Sequence, residues 1–268
     1  MSMIITAKDN DKIKYTKSLL KSKNRNKESK FIIEGYRILT LAIECRAKLD
    51  YVFINEDFEK KQEHKEFLET LKKKDIRVYK TTNKIFEDLT DTENTQGIIG
   101  VVKFKQRTLE ENLTDDNRFV LILDRIQDPG NMGTIIRTAD AVGAHGVIIP
   151  KRRSVHITPV VAKASAGAVE YVPVCKVTNI VNTIKKLKGE GLWIAAADMD
   201  GQTFYEQNLT GALGLVIGSE GFGISRLVKQ NCDFTVKMPM IGNVTSLNAS
   251  VAAGILLYEI FKQRSGNK

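Results

Sequence analysis

Three short stretches combine glycine with polar and charged residues in a way that suits the handling of a ligand. The first, DRIQDPGNMGTIIRTADAVGA at residues 124–144, passes through a Pro-Gly turn into a helical pattern. Asn131 is suited to capping that helix, Gly133 permits close backbone approach, and Arg137 lies among the apolar Ile135, Ile136 and Ala141. A guanidinium beside such a set serves pairing or phosphate reading; the plainer alternative ties it to Asp140 or Asp124. In the second, LGLVIGSEGFGIS at residues 213–225, an apolar run enters Gly218, Ser219, Glu220, Gly221, Phe222 and Gly223. Ligands of parallel sheets gather at the carboxyl ends of strands, where glycine lets them reach the backbone. A carboxylate held in that turn needs a partner, so Glu220 calls for a cation or arginine. The loop lacks the Gly-Lys-Ser/Thr of a phosphate loop and does not fit the dinucleotide fingerprint. The third, residues 236–262, runs through Pro239 and Gly242 to Ser246, Leu247 and Asn248, which open a long helix. Ser246 is its candidate N-cap. The helix has a small face (Ala249, Ala252, Ala253, Gly254) and an apolar face (Leu247, Val251, Ile255, Tyr258) expected in the core or at an interface.

The elements that must position these stretches are legible in the apolar pattern. From residue 118 the runs FVLIL, HGVIIP, WIAAA and LGLVIG are continuous, as strands of a parallel sheet covered on both faces would be. Helical patterns at 134–142, 159–168, 180–188 and 247–262 alternate with them, which predicts a βαβ series. Upstream, helices are expected at 35–45, 61–73 and 85–89, with strands at 49–54, 76–79 and 97–104. The predicted organisation is therefore a smaller α/β domain at 1–105, a polar, aperiodic linker at 106–117 and a larger α/β domain at 118–268.

The formal net charge is +9, and a basic surface attracts polyanions. The charge is concentrated in DKIKYTKSLLKSKNRNKESK, residues 11–30. Ile13, Leu19 and Leu20 are spaced for a short helix with Lys14, Lys17 and Lys21 outward and Arg25 following; these four are candidate RNA contacts, against the alternative of a solvated helix face. The cysteines (Cys45, Cys175, Cys232) and histidines (His64, His145, His156) are scattered, without metal-spaced pairs or a disulfide framework. No metal is expected. Charges where a signal peptide would be apolar, and no run of membrane-spanning length, predict a cytoplasmic protein without membrane contact.

In this order, N-x-G-x-x-x-R (Asn131, Gly133, Arg137), G-S-E-G (residues 218–221) and S-L-N-x-S (residues 246–250) resemble the three motifs of the SpoU/TrmH class of SPOUT RNA 2′-O-methyltransferases. The resemblance covers residues 119–262. KFIIEGYRIL (30–39) and TQGIIGVV (95–102) resemble, more loosely, that family's amino-terminal substrate-binding domain of the ribosomal L30e/L7Ae type. It implies a trefoil-knotted α/β domain that works as a homodimer, a threading that general connection rules would not suggest. It implies S-adenosylmethionine as cofactor, held by Gly218, Glu220 and Gly221, by residues 238–241 including Met238 and Ile241, and by Ser246 and Leu247, with Ala197 of a small run lining the adenosine pocket. Among the residues implied to be catalytic, Arg137 is the usual nominee for activating the hydroxyl. Asn131 would orient the ribose or Arg137, Glu220 and Asn248 would position these groups across the dimer seam, and Ser246 would hold cofactor or nucleotide. Ribosomal RNA is the favoured substrate. A transfer RNA enzyme, a catalytically silent RNA-binding relative and a resistance methyltransferase remain alternatives of the same layout, and a small-molecule nucleotide enzyme fits the basic amino-terminal region less well.

Overall fold

A computed structural model describes residues 4–44, 47–90, 96–103, 117–244 and 246–266. The chain divides into two units, residues 1–105 and 106–268. Of the expected linker only Asn117 lies within the described residues; Cys45, Thr95 and Phe104 also lie outside them.

The first unit contains β1 (Ile4–Ile5), α1 (Asp11–Ser18), α2 (Ser22–Glu28), β2 (Lys30–Glu34), α3 (Tyr36–Glu44), β3 (Lys48–Ile54), α4 (Gln62–Lys73), β4 (Arg77–Thr81), α5 (Asn83–Glu87) and β5 (Ile98–Lys103). Its sheet order is β1-β4-β3-β5-β2, parallel where β4 meets β1 and β3, antiparallel where β5 meets β3 and β2. On one face Ile13 and Leu19 join Ile85 and Phe86 of α5 against Tyr51, Phe53 and Ile99. The lysine-rich text therefore does bury an apolar stripe, but its helix ends at Ser18 and a separate α2 follows. His64 is buried and stacked on Phe58, whose carbonyl accepts its Nδ1–H at 2.6 Å. It is a satisfied core histidine.

The second unit contains β6 (Phe119–Asp124), α6 (Pro129–Ala141), β7 (Gly146–Pro150), α7 (Pro159–Ala164), β8 (Val174–Val177), α8 (Ile180–Gly189), β9 (Trp193–Thr203), β10 (Leu213–Gly218), α9 (Arg226–Asn231), β11 (Phe234–Lys237) and α10 (Ala249–Ser265). The order is β11-β9-β10-β6-β7-β8, with parallel pairing throughout. Alternate residues Val120, Ile122, Ile148, Ile194 and Val216 face Ile184 and Leu187 of α8 and Val228 of α9. By the period-two rule the residues between them face the opposite side, where α10 packs on α6 and β10.

Three helix boundaries differ from the expected ones. The first site helix starts at Pro129, and its cap is Asp128, whose Oδ1 accepts the Asn131 N–H at 2.7 Å; proline, with fixed φ and no N–H, favours the first helical position. The last helix starts at Ala249 with Asn248 as its cap, so Ser246 is not the cap. The helix expected at 159–168 stops at Ala164, where Ala166 (φ 49°) and Gly167 (φ 84°) turn the chain out of it. On α10 the buried side is Ala249, Ala253, Leu256, Leu257 and Ile260, whereas Val251, Ile255 and Tyr258 are exposed and form no part of this chain's core.

Helix α6 sits unusually close to α7: a Cβ on Gly133 would come within 2.5 Å of Ala164 Cβ and 2.8 Å of the Val161 carbonyl oxygen. Backbone cannot yield as a flexible side chain can. Gly133→Ala should therefore destabilise the protein by on the order of 1–3 kcal/mol, read as a lower urea midpoint at unchanged m-value; an unshifted midpoint would mean that the two helices part freely.

Candidate functional site

Because every strand of the second sheet runs the same way, β6, β10 and β11 end on one edge. Gly218 pairs in register with Asp124, so the loops that follow these two strands leave side by side. The sequence pattern offered Asp124 only as a partner for Arg137, and its place between the loops was missed. Asp124 is 4% exposed, accepts the Ser225 N–H at 2.7 Å and lies 3.4 Å from Arg125 Nε. A carboxylate closing an apolar run is the signal that could have found it, since a buried charge requires partners.

The loop after β10 folds on itself. Ser219 and Gly223 exchange backbone hydrogen bonds of 3.2 and 2.9 Å. A Cβ on Gly218 would lie 2.1 Å from the Gly223 carbonyl carbon, and Gly223 has a φ of +62°. Gly218 thus serves the turn itself, while Gly221 has open space around it. The turn presents Glu220, whose Oε1 accepts a hydrogen bond from Asn131 Nδ2 in the first turn of α6. Glu220 therefore meets Asn131 within one chain.

Arg137 is exposed, two turns into α6, with Ile135 and Ile136 buried on the other side. Among the described residues its guanidinium has no hydrogen-bonded or ionic partner; Asp124 is occupied by Ser225 and Arg125. Residues 238–244 adopt no regular structure, and Ile241 and Val244 are exposed there, as is Phe222 in the neighbouring turn. Met238, Leu247 and Ala197 are half-buried, Ser246 is exposed, and Asn248 Oδ1 accepts from the Ser250 N–H (2.9 Å), the Val251 N–H (3.3 Å) and the Ser250 hydroxyl (2.6 Å). The edge thus gathers Asn131 and Glu220 beside open glycine backbone and uncovered apolar side chains, with the free guanidinium of Arg137 two turns further along α6. That set can align a hydroxyl nucleophile and accommodate a planar, partly apolar cofactor.

In the first unit Lys14, Lys17 and Lys21 are exposed, with Lys17 Nζ 3.9 Å from Asp88. Arg25 is turned inward: its guanidinium donates to the carbonyls of Leu19 and Leu20 and so caps the end of α1. A cleft of ≈ 460 Å³ also lies in this unit, among Tyr36, Arg37, Asn55, His64 and Gln96; it contains none of the nominated residues. Among the described residues no His/Cys/Asp/Glu group could hold a metal, and no helix is long and apolar enough to cross a membrane. Burial pushes the Cys232 thiol up to about 12, which disfavours its thiolate.

The Asn131–Glu220 contact is open to measurement. Asn131→Ala, Glu220→Ala and the double variant should show non-additive stabilities, with a coupling on the order of 0.5–1 kcal/mol for a partly exposed pair. Additive losses would mean that the bond is not made in solution.

Comparison with known proteins gives this edge a family. The SpoU rRNA Methylase family matches residues 118–258, more than half of the chain, and the MRM3-like substrate binding domain matches residues 10–100. A Bacillus subtilis protein assigned to the TrmH family of tRNA/rRNA methyltransferases is 44% identical over 213 residues, covering 76% of this chain and 85% of the relative. A Staphylococcus saprophyticus relative of the same family is 42% identical over 241 residues, covering 87% and 96%. Among solved structures, the SpoU methyltransferase AviRb of Streptomyces viridochromogenes in complex with S-adenosylmethionine superposes with a TM-score of 0.79 at 26% identity, covering 95% of this chain and 98% of that one. An RNA 2′-O ribose methyltransferase superposes at 0.75 with 27% identity, covering 97% and 99%. The chain therefore belongs to the SpoU/TrmH family and is an RNA methyltransferase whose methylase domain follows an MRM3-like substrate-binding domain.

Proposed function

We propose that this enzyme methylates a ribose 2′-hydroxyl of ribosomal RNA with S-adenosylmethionine as donor. The observation that carries the proposal is the Asn131–Glu220 hydrogen bond, which joins the first turn of α6 to the loop after β10, together with a guanidinium further along α6, Arg137, that has no partner among the described residues. The AviRb complex supports the cofactor, the 2′-O ribose methyltransferase neighbour supports the ribose position, and the family's rRNA designation supports the substrate class.

The residues at this edge fit the cofactor. Gly221 and Gly242 would leave free space even around an added Cβ, so a ligand can reach their backbone. Among the described residues no backbone–backbone hydrogen bond engages 239–244, which leaves peptide groups for the polar edges of an adenosine. Ile241 and Leu247 offer apolar surface for its ring. When bound, S-adenosylmethionine supplies a methyl group on a sulfonium; every other contribution is the protein's. Asn131, fixed by Glu220, orients the ribose, and alignment of the 2′-oxygen supplies much of the rate. Arg137 stabilises the developing alkoxide and contacts phosphate. It acts as a donor only, because a planar guanidinium offers N–H donors and no acceptor. Ser246 and Asn248 line the approach from the loop after β11.

The homodimer belongs to the same proposal. Val251, Ile255, Tyr258 and Phe261 form an exposed stripe on α10 (49, 40, 55 and 45% exposed), and a contiguous apolar patch of this kind is what an interface covers. The knotted threading is supported by β11 joining the sheet beyond β9 while α10 returns to pack on α6. The bacterial relatives support a cytoplasmic site of action.

Transfer of labelled methyl to ribosomal RNA and transfer RNA, followed by mapping of 2′-O-methyl positions, tests the reaction; methyl on a base, or on transfer RNA alone, would overturn it. Arg137→Ala should lower kcat on the order of 10²–10³-fold with cofactor affinity unchanged by calorimetry, and turnover within about tenfold of wild type would remove Arg137 from the chemistry. Replacing Lys14, Lys17 and Lys21 together by Ala should weaken RNA binding and lower its log–log salt slope by roughly 2. Unchanged affinity would make α1 a solvated face.

A further inference from the structure

The nominated RNA contacts leave out the strongest free positive charge at the candidate edge. Strand β7 lies next to β6 and runs parallel to it, so the segment after Pro150 emerges beside the loop that leads to Asn131. That segment reads Lys151, Arg152, Arg153, and all three are exposed. Among the described residues none of the three side chains has a hydrogen-bonded or ionic partner. Other cations of the chain are paired: Lys8 lies 2.5 Å from Asp88, Lys30 and Lys103 lie 2.6 and 3.2 Å from Asp50, Lys188 lies 2.6 Å from Asp233, and Lys229 lies 3.0 Å from Asp198 and Asp200.

The turn is also held in place. The Val155 N–H and the Ser154 hydroxyl both donate to the Ile126 carbonyl at 2.9 Å, and the Lys151 N–H donates to the Val177 carbonyl at 2.8 Å. It is thus pinned to the β6–α6 loop on one side and to β8 on the other. Arg153 has a φ of +61°, a conformation that costs an L-residue energy and that glycine adopts freely. Its side chain is exposed, so packing gives no reason for an arginine there. The nearby carboxylates are occupied: Asp124 by Ser225 and Arg125, and Asp128 by the Asn131 N–H.

We propose that the Lys151–Arg153 turn is a phosphate clamp that grips the RNA backbone flanking the target nucleotide. This rests on the assignment of RNA as substrate and specifies how the methylase domain itself holds it. Three unpaired cations on a fixed turn match a run of phosphates, and their anchor on Ile126 fixes the distance between the gripped backbone and the Asn131–Arg137 helix.

The test uses the full-length protein, a fluorescein-labelled RNA hairpin for binding and ribosomal RNA for turnover. Replacing Lys151, Arg152 and Arg153 together by Ala should raise Kd and KM for RNA on the order of tenfold or more. It should reduce the log–log salt slope by roughly 2–3, while S-adenosylmethionine affinity and kcat stay within about threefold. Wild-type affinity and slope in that variant would overturn the clamp. Two further variants separate charge from fold. Arg153→Gly removes the charge while suiting the positive φ, and should weaken RNA binding with an unchanged or higher Tm. The Lys151→Arg, Arg152→Lys, Arg153→Lys variant should restore affinity; failure to restore it counts against a charge-based grip. If the wild-type protein binds the hairpin yet transfers no methyl group, the proposed reaction fails and the binding results still decide the clamp.

Discussion

The candidate edge depends on how a buried carboxylate is satisfied. Asp124 ends β6 in nearly complete burial, and leaving a charge there without partners would cost several kcal/mol. The chain answers with the Ser225 N–H from beyond the glycine turn and the Arg125 guanidinium from the next residue. The first of these ties the far end of the β10 loop to the end of β6. With both ends of that loop fixed, at Gly218 by strand register and at Ser225 by Asp124, the turn between them can present Glu220 to Asn131. Arg125 itself is held at a φ of +64°, a strained conformation of the kind that gathers around functional sites.

Positive charge does two different jobs in this protein. Several lysines of the first unit are neutralised locally, and the effect is visible on its acids: burial alone would raise the Asp50 carboxyl, yet hydrogen bonds from Lys30 and Lys103 bring it below its ordinary range. Asp88 is likewise held low by its hydrogen bond from Lys8. Those cations stabilise the fold before they meet any ligand. The exposed Lys14 and Lys21 of the same unit, and the unpaired cations of the methylase unit, are the ones with charge to spare for a polyanion.

Long apolar runs were the legible part of the sequence, because a strand covered on both faces admits almost nothing else. FVLIL and LGLVIG fall within β6 and β10 with all or nearly all residues buried. Helix ends were less legible. The text around Pro129 and around Asn248 offers several capping candidates, and only local geometry chose Asp128 over Asn131 and Asn248 over Ser246. Short elements escaped altogether: β1 has two residues, and α2 and α9 carry little apolar periodicity. For the site, motif residues identified the loops, but partners far apart in sequence could not be read. Neither the Ser225–Asp124 bond nor the Glu220–Asn131 contact, 101 and 89 residues apart, leaves a trace in spacing. The bonds of Arg25 to Leu19 and Leu20 were not legible for a related reason, since whether a cation faces water or caps a helix depends on where the preceding helix stops.

The cap of α10 has one more consequence. The side-chain carbonyl oxygen of Asn248 is saturated by three donors from Ser250 and Val251, so what the residue can still offer to its surroundings is its amide nitrogen. Aspartate would cap the helix about as well and would complement the dipole at the helix start. It would, however, turn a neutral donor pair into a negative acceptor beside the loop after β11. A single side chain thus satisfies the helix with one atom and leaves the other facing outward, and of the two isosteres only the amide can do both.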